Sequence, residues 1–231
     1  MTDSRSRTRR GAQHINADTG AVRINPMSPG DIPAVAALQL THLDGSIVTQ
    51  LGSTFLTHFH AHALNEGSTR AYVARDTDGS ILGFVTASLD VDRFNRYVKP
   101  RVLLPLAWSL LSPRRVGLVL KIARALGEQE PQPHIPAELL LLVVDPRARR
   151  RGIGAGLLNA IEADFAGCGL SRYSVAVRSQ LAVVRAFYMA LGFEHEQDLT
   201  VLGEPMVYLT KRVAQGAADT GSAAREHTGT A

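Results

Sequence analysis

Two rhythms of apolar residues alternate along the chain. A period near 3.6 marks helices. It links Ile32, Val35, Ala36, Leu38 and Leu43 behind Asp31 as a cap, and Phe55, Leu56, Phe59 and Ala63 over residues 54–64. It returns with Ile153, Leu157, Leu158, Ile161 and Phe165, and again over 180–191, where Val183, Val184, Phe187 and Leu191 share a face and Gly192 takes the C′ position. Shorter apolar stretches mark strands: 22–24, 70–75, 80–88, 139–144, 173–178, a run from Phe193, and 206–209. Asp76, Thr77, Asp78 and Gly79 join the second and third as a hairpin turn. Strands and helices mixed in this way predict an α/β domain.

Residues 92–136 interrupt this alternation. Helices are expected over 98–111 and 114–126, separated by Ser112 and Pro113, with Pro100 and Pro105 kinking the first or delaying its start. The first is rich in leucine, carries Trp108, and is flanked by Arg96, Lys99, Arg101, Arg114 and Arg115. Such a segment suits a helical pair packed on its own domain, a lid, a homodimer contact, or peripheral membrane contact through 98–111. Residues 128–136, with three prolines, lead back to the core.

Composition narrows the class. With 231 residues, 45% hydrophobic and 20% charged, the chain can bury a sizeable core as one domain, expected over 21–213. Residues 1–20 and 214–231 are aperiodic and polar and read as disordered leader and tail. Much of the net charge of +4 lies in Arg5, Arg7, Arg9 and Arg10, so it belongs to the leader, and no specific nucleic-acid partner is expected. A single cysteine, Cys168, permits no internal disulfide and reads as packing. No signal-peptide pattern and no run long enough to span a membrane is present, which predicts a cytoplasmic protein. His58 and His62 stand at i and i+4, but no HExxH motif or third ligand accompanies them. His58, His60 and His62 are read as helix-surface or substrate-wall residues, and no metal is expected.

One stretch carries chemistry. The apolar run 139–144 ends at Asp145-Pro146, and Arg147, Arg149, Arg150 and Arg151 follow, then Gly152-Ile153-Gly154 and an amphipathic helix. A strand, a basic glycine turn and a helix N-terminus together form an anion site, because glycine lets the main chain approach and the first helical N–H groups point outward. The P-loop pattern is absent, and Gly152, Gly154 and Gly156 do not make GxGxxG. The segment Arg149-Arg150-Arg151-Gly152-Ile153-Gly154 instead resembles the R-x-x-G-x-G pyrophosphate loop of the GNAT superfamily of N-acetyltransferases. Phe187-Tyr188-Met189-Ala190-Leu191-Gly192-Phe193 resembles that family's downstream fYxxLGF block, and Ile81 to Val85 its third strand.

The resemblance implies a mixed, mostly antiparallel twisted sheet with helices on both faces, the helical insert falling between strands three and four. It implies acetyl-CoA as acyl donor, with Arg149, Arg150, Arg151, Gly152, Ile153, Gly154 and Ala155 around the pyrophosphate and the backbone of Leu142, Val143 and Val144 along the pantetheine arm. It implies Tyr188 as the acid beside the thioester sulfur and Glu138 as the base; the local cluster of His58, His60 and His62 offers an alternative base. The expected reaction is acyl transfer to a primary amine, favoured as that of a small molecule, by direct attack in a ternary complex. Protein or peptide acetylation stays open, as does an inactive CoA-binding sensor. Two departures bear on these. Ribosomal-protein alanine acetyltransferases carry a glutamate where this chain has Ala176, and many members carry an asparagine where it has Leu181.

Overall fold

The computed structural model describes residues 22–43, 51–109, 135–201 and 204–214. Among these residues seven strands form one sheet in the order β1-β2-β3-β4-β5-β7-β6. They are β1 (Arg23–Pro26), β2 (Thr69–Arg75), β3 (Ile81–Ser88), β4 (Glu138–Val144), β5 (Arg172–Arg178), β6 (Glu194–Val201) and β7 (Glu204–Arg212). Every neighbouring pair is antiparallel except β4 and β5, which run parallel through the middle of the sheet. The helices are α1 (Ile32–His42), α2 (Ser53–Asn65), α3 (Val91–Ser109), α4 (Ile153–Gly167) and α5 (Ala182–Ala190). The mixed, mostly antiparallel sheet is the one the resemblance implied.

The core has two main halves, one on each face. On one face α4 and α5 bury Leu157, Leu158, Ile161, Phe165 and Tyr188 against Val85, Leu139, Val175 and Leu209. On the other, Val35 of α1 meets Val73, Phe84 and Val143. The periodicity of α4 is fully realised: all five of its predicted inward residues are buried. The β2–β3 hairpin closes as its Asp-Thr-Asp-Gly turn requires, with Gly79 at φ 88° and the Asp76 amide donating to the Ser80 carbonyl at 2.9 Å.

Several expectations are corrected. Asp31 stands at the start of α1 but does not cap it. Its carboxylate accepts from the amide and hydroxyl of Ser28, each at 2.9 Å, and pairs with Arg75. Val183 is 85% exposed and Val184 37% exposed, so the inner face of α5 is supplied by Phe187, Tyr188 and Leu191 instead. A short helix with one strong contact line can leave apolar residues outside. Cys168 is exposed rather than packed.

The insert begins differently too. Helix α3 starts at Val91, seven residues earlier than expected, and continues through Pro100 and Pro105. Asp90 starts it, accepting from the Arg93 amide at 2.9 Å. Phe94 and Val98 then bury against Ala63, with Phe55, Phe59 and Leu140 alongside. The Val91 amide donates to the Pro136 carbonyl at 2.8 Å, so the two ends of the insert meet at the sheet. The helix expected over 114–126 lies outside the described residues.

Candidate active site

The site follows from one topological fact. Strands β4 and β5 pair only at Glu138↔Ser174 and Leu139↔Val175. Beyond Leu139, β4 stays bonded to β3 as far as Val144 but no longer to β5. Its other edge, from Leu140 to Val144, therefore presents main-chain groups with no strand partner to a gap between two parallel strands. Five residues of extended chain make roughly 15 Å of edge, a length suited to an extended linear ligand that adds as a strand.

A bulge tunes this edge. The register with β3 slips between Thr86↔Leu141 and Ala87↔Leu139, leaving Leu140 unpaired. Leu139 faces the α4 side, whereas Leu140 and Leu141 both pack on the α1–α2–α3 side. The six apolar residues read in sequence as a plain buried strand thus contain the kink that re-aims its backbone groups.

The open end of the gap leads to the anion loop. Gly152 is left-handed at φ 73°, Arg150 is left-handed at φ 60°, and Arg150 is the only non-glycine residue with positive φ among those described. Left-handed residues at alternate positions turn successive N–H groups toward one concavity. Helix α4 begins without a side-chain cap. Its first ring closes from the Gly156 amide to the Gly152 carbonyl at 2.9 Å, so the amides of Ile153, Gly154 and Ala155 have no partner within the helix. Arg147, Arg149, Arg150 and Arg151 make no ion pair among the described residues. The Arg149 Nε donates to the Val144 carbonyl at 3.3 Å, tying the loop to the end of β4. Gly154 is constrained from above: a Cβ there would stand 3.1 Å from Cζ of Phe187. Every loop residue expected from the sequence is thus gathered at one end of the gap.

The closed end carries Glu138. It is half-buried at the start of β4 and aligned in register with Ser88 on β3 and Ser174 on β5. Ser174 Oγ and the Tyr208 hydroxyl lie 2.7 Å apart. Burial, with the Glu138 charge added to it, pushes the Tyr208 phenol up to about 12. Ser88, Ser174 and Tyr208 were not singled out in the sequence. Their signal was present, as hydroxyl residues inside apolar strands, but only register shows that they surround one carboxylate.

Tyr188 lies on the opposite face, 4% exposed, with its ring edge-on to Phe187 and Phe193. Desolvation holds its phenol well above the ordinary tyrosine range, so it is protonated at neutral pH. Tyr72 donates to Asp164 at 2.8 Å and Tyr173 to Glu162 at 2.5 Å, but the Tyr188 hydroxyl has no hydrogen-bond partner among the described residues.

The histidines separate. His60 is buried, its Nε2 donating to Gln39 Oε1 at 2.7 Å, and desolvation lowers it to about 4. It is a core residue and not a surface or wall residue. The His58 and His62 rings stack 6.5 Å apart on α2. No group of three metal-ligating side chains occurs among the described residues, and no described helix is long and apolar enough to cross a membrane.

The site is thus an open mixed sheet whose two parallel strands part beside a basic helix N-terminus that has no side-chain cap. The chain belongs to the acetyltransferase (GNAT) family, whose sequence model matches residues 48–193. No curated protein matches it. Among solved structures it is similar to SsHAT, at 22% identity over 84% of this chain and 99% of that one, with a TM-score of 0.61. It is also similar to the ribosomal-protein-S18-alanine N-acetyltransferase of Escherichia coli, at 15% identity over 85% and 96% of the two chains, TM-score 0.53. The spermidine/spermine N-acetyltransferase SpeG of Vibrio cholerae, in mutant form, gives 12% identity, 84% and 95% coverage and a TM-score of 0.53. At these identities the likeness speaks for the fold.

Proposed function

We propose that this chain transfers an acetyl group from acetyl-CoA to the primary amine of a small molecule, by direct attack with both substrates bound. The observation that carries the reading is the parting of β4 and β5 after Leu139, with the unpaired edge ending at the unneutralised arginine loop. In this reading the amides of Ile153, Gly154 and Ala155 and the side chains of Arg150 and Arg151 hold the pyrophosphate, with Arg149 fixing the loop to β4. The backbone of Leu142, Val143 and Val144 pairs with the pantetheine amides.

The chemistry then uses both faces of the sheet. Glu138, on the face away from α4, accepts a proton from the ammonium directly or through water, freeing the nitrogen lone pair. The nitrogen bonds to the thioester carbonyl carbon, and a main-chain N–H beside the β4 bulge donates to the oxyanion. As the C–S bond breaks, Tyr188 donates its proton to the leaving sulfur from the α4 face, and the excess proton still carried by the attacking nitrogen returns through water to the Tyr188 phenolate, leaving a neutral amide. The unpartnered, protonated phenol suits an acid and not a base. No residue of the chain is acylated at any stage. Ala176, in the position of the glutamate of the ribosomal-protein alanine enzymes, speaks for a small acceptor over a peptide N-terminus.

Calorimetry with CoA and acetyl-CoA tests the carrier half on wild type and on Gly154→Trp, whose new side chain would strike Phe187 and fill the loop mouth. Micromolar binding by the wild type that the variant loses is expected. Absence of binding by any acyl-CoA to the wild type would sink the transferase reading and the sensor alternative together. Release of free thiol in the presence of an amine panel separates the two if binding is found.

A further inference from the structure

A second pocket is lined by none of the residues assigned to the strand gap or the basic loop. Helices α2 and α3 border a surface pocket of about 310 Å³, whose lining includes Glu66, Gly67, Arg93, Arg96, Tyr97 and Arg101. Three guanidinium groups around one pocket repel each other, so their placement needs a cause. Glu66 supplies part of it. Its carboxylate is almost wholly buried, with Oε1 on Arg93 Nε at 2.9 Å and Oε2 accepting from the amide of Ser68 at 2.8 Å and from the Ser68 hydroxyl. Both oxygens are thus engaged, and Arg93 is fixed at Nε with its terminal nitrogens free to face outward. A Cβ on Gly67 would come 3.4 Å from Arg93 Nη2, so the guanidinium lies close over the bare backbone of Gly67.

The other two arginines are not neutralised. Arg101 stacks on the Tyr97 ring at 3.9 Å and donates to the Tyr97 carbonyl at 2.9 Å. Arg96 and Arg101 make no ion pair among the described residues. Arg93 and Glu66 cancel, which leaves a balance of two positive charges on a concave surface with a planar ring in its wall. The carboxylates at the start of α3, Asp90 and Asp92, do not line the pocket, and the Asp90 carboxylate is engaged by the Arg93 amide.

We propose that this pocket is a binding site for a doubly charged oxygen anion, as carried by a phosphate monoester or a dicarboxylate. Forked guanidinium donors suit both, and the charge balance matches a dianion. The proposal stands on the α2–α3 pocket alone and does not need the transferase reading to hold.

Amide chemical-shift titration of the full chain tests it, with inorganic phosphate in one arm and succinate in the other. The proteins are wild type, Arg96→Gln/Arg101→Gln, the single Arg96→Glu variant and Gly154→Trp, each checked for an unchanged melt. Saturable shifts at residues 65–67 and 93–101 are expected in at least one arm. They should weaken ten-fold or more in both arginine variants and persist in Gly154→Trp. A response to phosphate alone or to succinate alone names the source. No saturable shift in either arm overturns the proposal. So does binding that survives both arginine variants, or binding that disappears in Gly154→Trp, which would place the anion at the loop.

Discussion

Arg150 occupies the left-handed region that only glycine enters without strain. An L-residue there costs roughly 1–2 kcal/mol. Arg150→Gly should therefore leave the fold as stable or up to about 1 kcal/mol more stable, once the entropy glycine loses is set against the relieved strain. The same change should weaken acetyl-CoA binding several-fold. Urea denaturation and calorimetry on the one variant read the two effects separately, and parallel losses in both would show that the side chain serves packing. Tyr188→Phe makes a similar separation. It removes a hydroxyl that makes no hydrogen bond among the described residues, so the melting temperature should hold, while turnover should fall about 100-fold or more with acetyl-CoA affinity unchanged. His60 sets a pH dependence. Its folded-state value near 4, against 6.5 unfolded, means the unfolded chain binds more protons between those limits. Stability should be complete above pH 6.5 and decline as pH falls toward 4, by roughly 3 kcal/mol from this group. Denaturation at pH 7 and pH 5, on wild type and His60→Asn, should show a flatter dependence in the variant.

At the scale of elements, β4 is held against β3 more closely than side chains normally allow. A Cβ on Gly83 would stand 2.8 Å from the Val143 carbonyl oxygen and 3.3 Å from Val144 Cγ2. A backbone oxygen cannot step aside as a flexible side chain does. Gly83→Ala should cost about 1–3 kcal/mol and disturb the edge offered by Leu142, Val143 and Val144. Equilibrium unfolding and acetyl-CoA titration should both register it. The contrast with Gly156 is informative: its Cβ would meet only Ile24 Cδ1, also at 2.8 Å, and that methyl can rotate. A milder loss is expected from Gly156→Ala. The same scale explains what was read correctly in the sequence and what was not. Helix α4 has a broad apolar face, and its periodicity was sufficient. Helix α5 is short and its contacts are decided by Tyr188 and Phe187, so the apolar character of Val183 and Val184 pointed the wrong way. The two prolines suggested a late or kinked start for α3, but Asp90 and the burial of Phe94 and Val98 start it early.

For the whole molecule, the two faces of the sheet would divide the work of the proposed transfer. The α4–α5 side carries Tyr188 and the loop, and the α1–α2–α3 side carries Glu138, Ser88, Ser174 and Tyr208. A ligand seated in the gap would link both halves of the core and stabilise them jointly. Acetyl-CoA at 100 times its Kd should add about 2.7 kcal/mol, a thermal shift that Gly154→Trp abolishes. The shift should shrink as salt rises, since Arg147, Arg149 and Arg150 of the loop are exposed.

The sequence by itself determined the local chemistry: the basic glycine turn, the strand before it, the helix after it, the β2–β3 hairpin and the tyrosine before Gly192. Each is written in neighbouring residues, because turn type, capping and periodicity act over a few positions. The tertiary structure decided everything that depends on register. It placed the bulge at Leu140, parted β4 from β5 after Leu139, put Ser174 and Tyr208 beside Glu138, buried His60 against Gln39 and gathered Arg93, Arg96 and Arg101 around Glu66. None of these can be read from spacing, because strand pairing and helix docking are settled by which faces bury together, and that is a property of the assembled core.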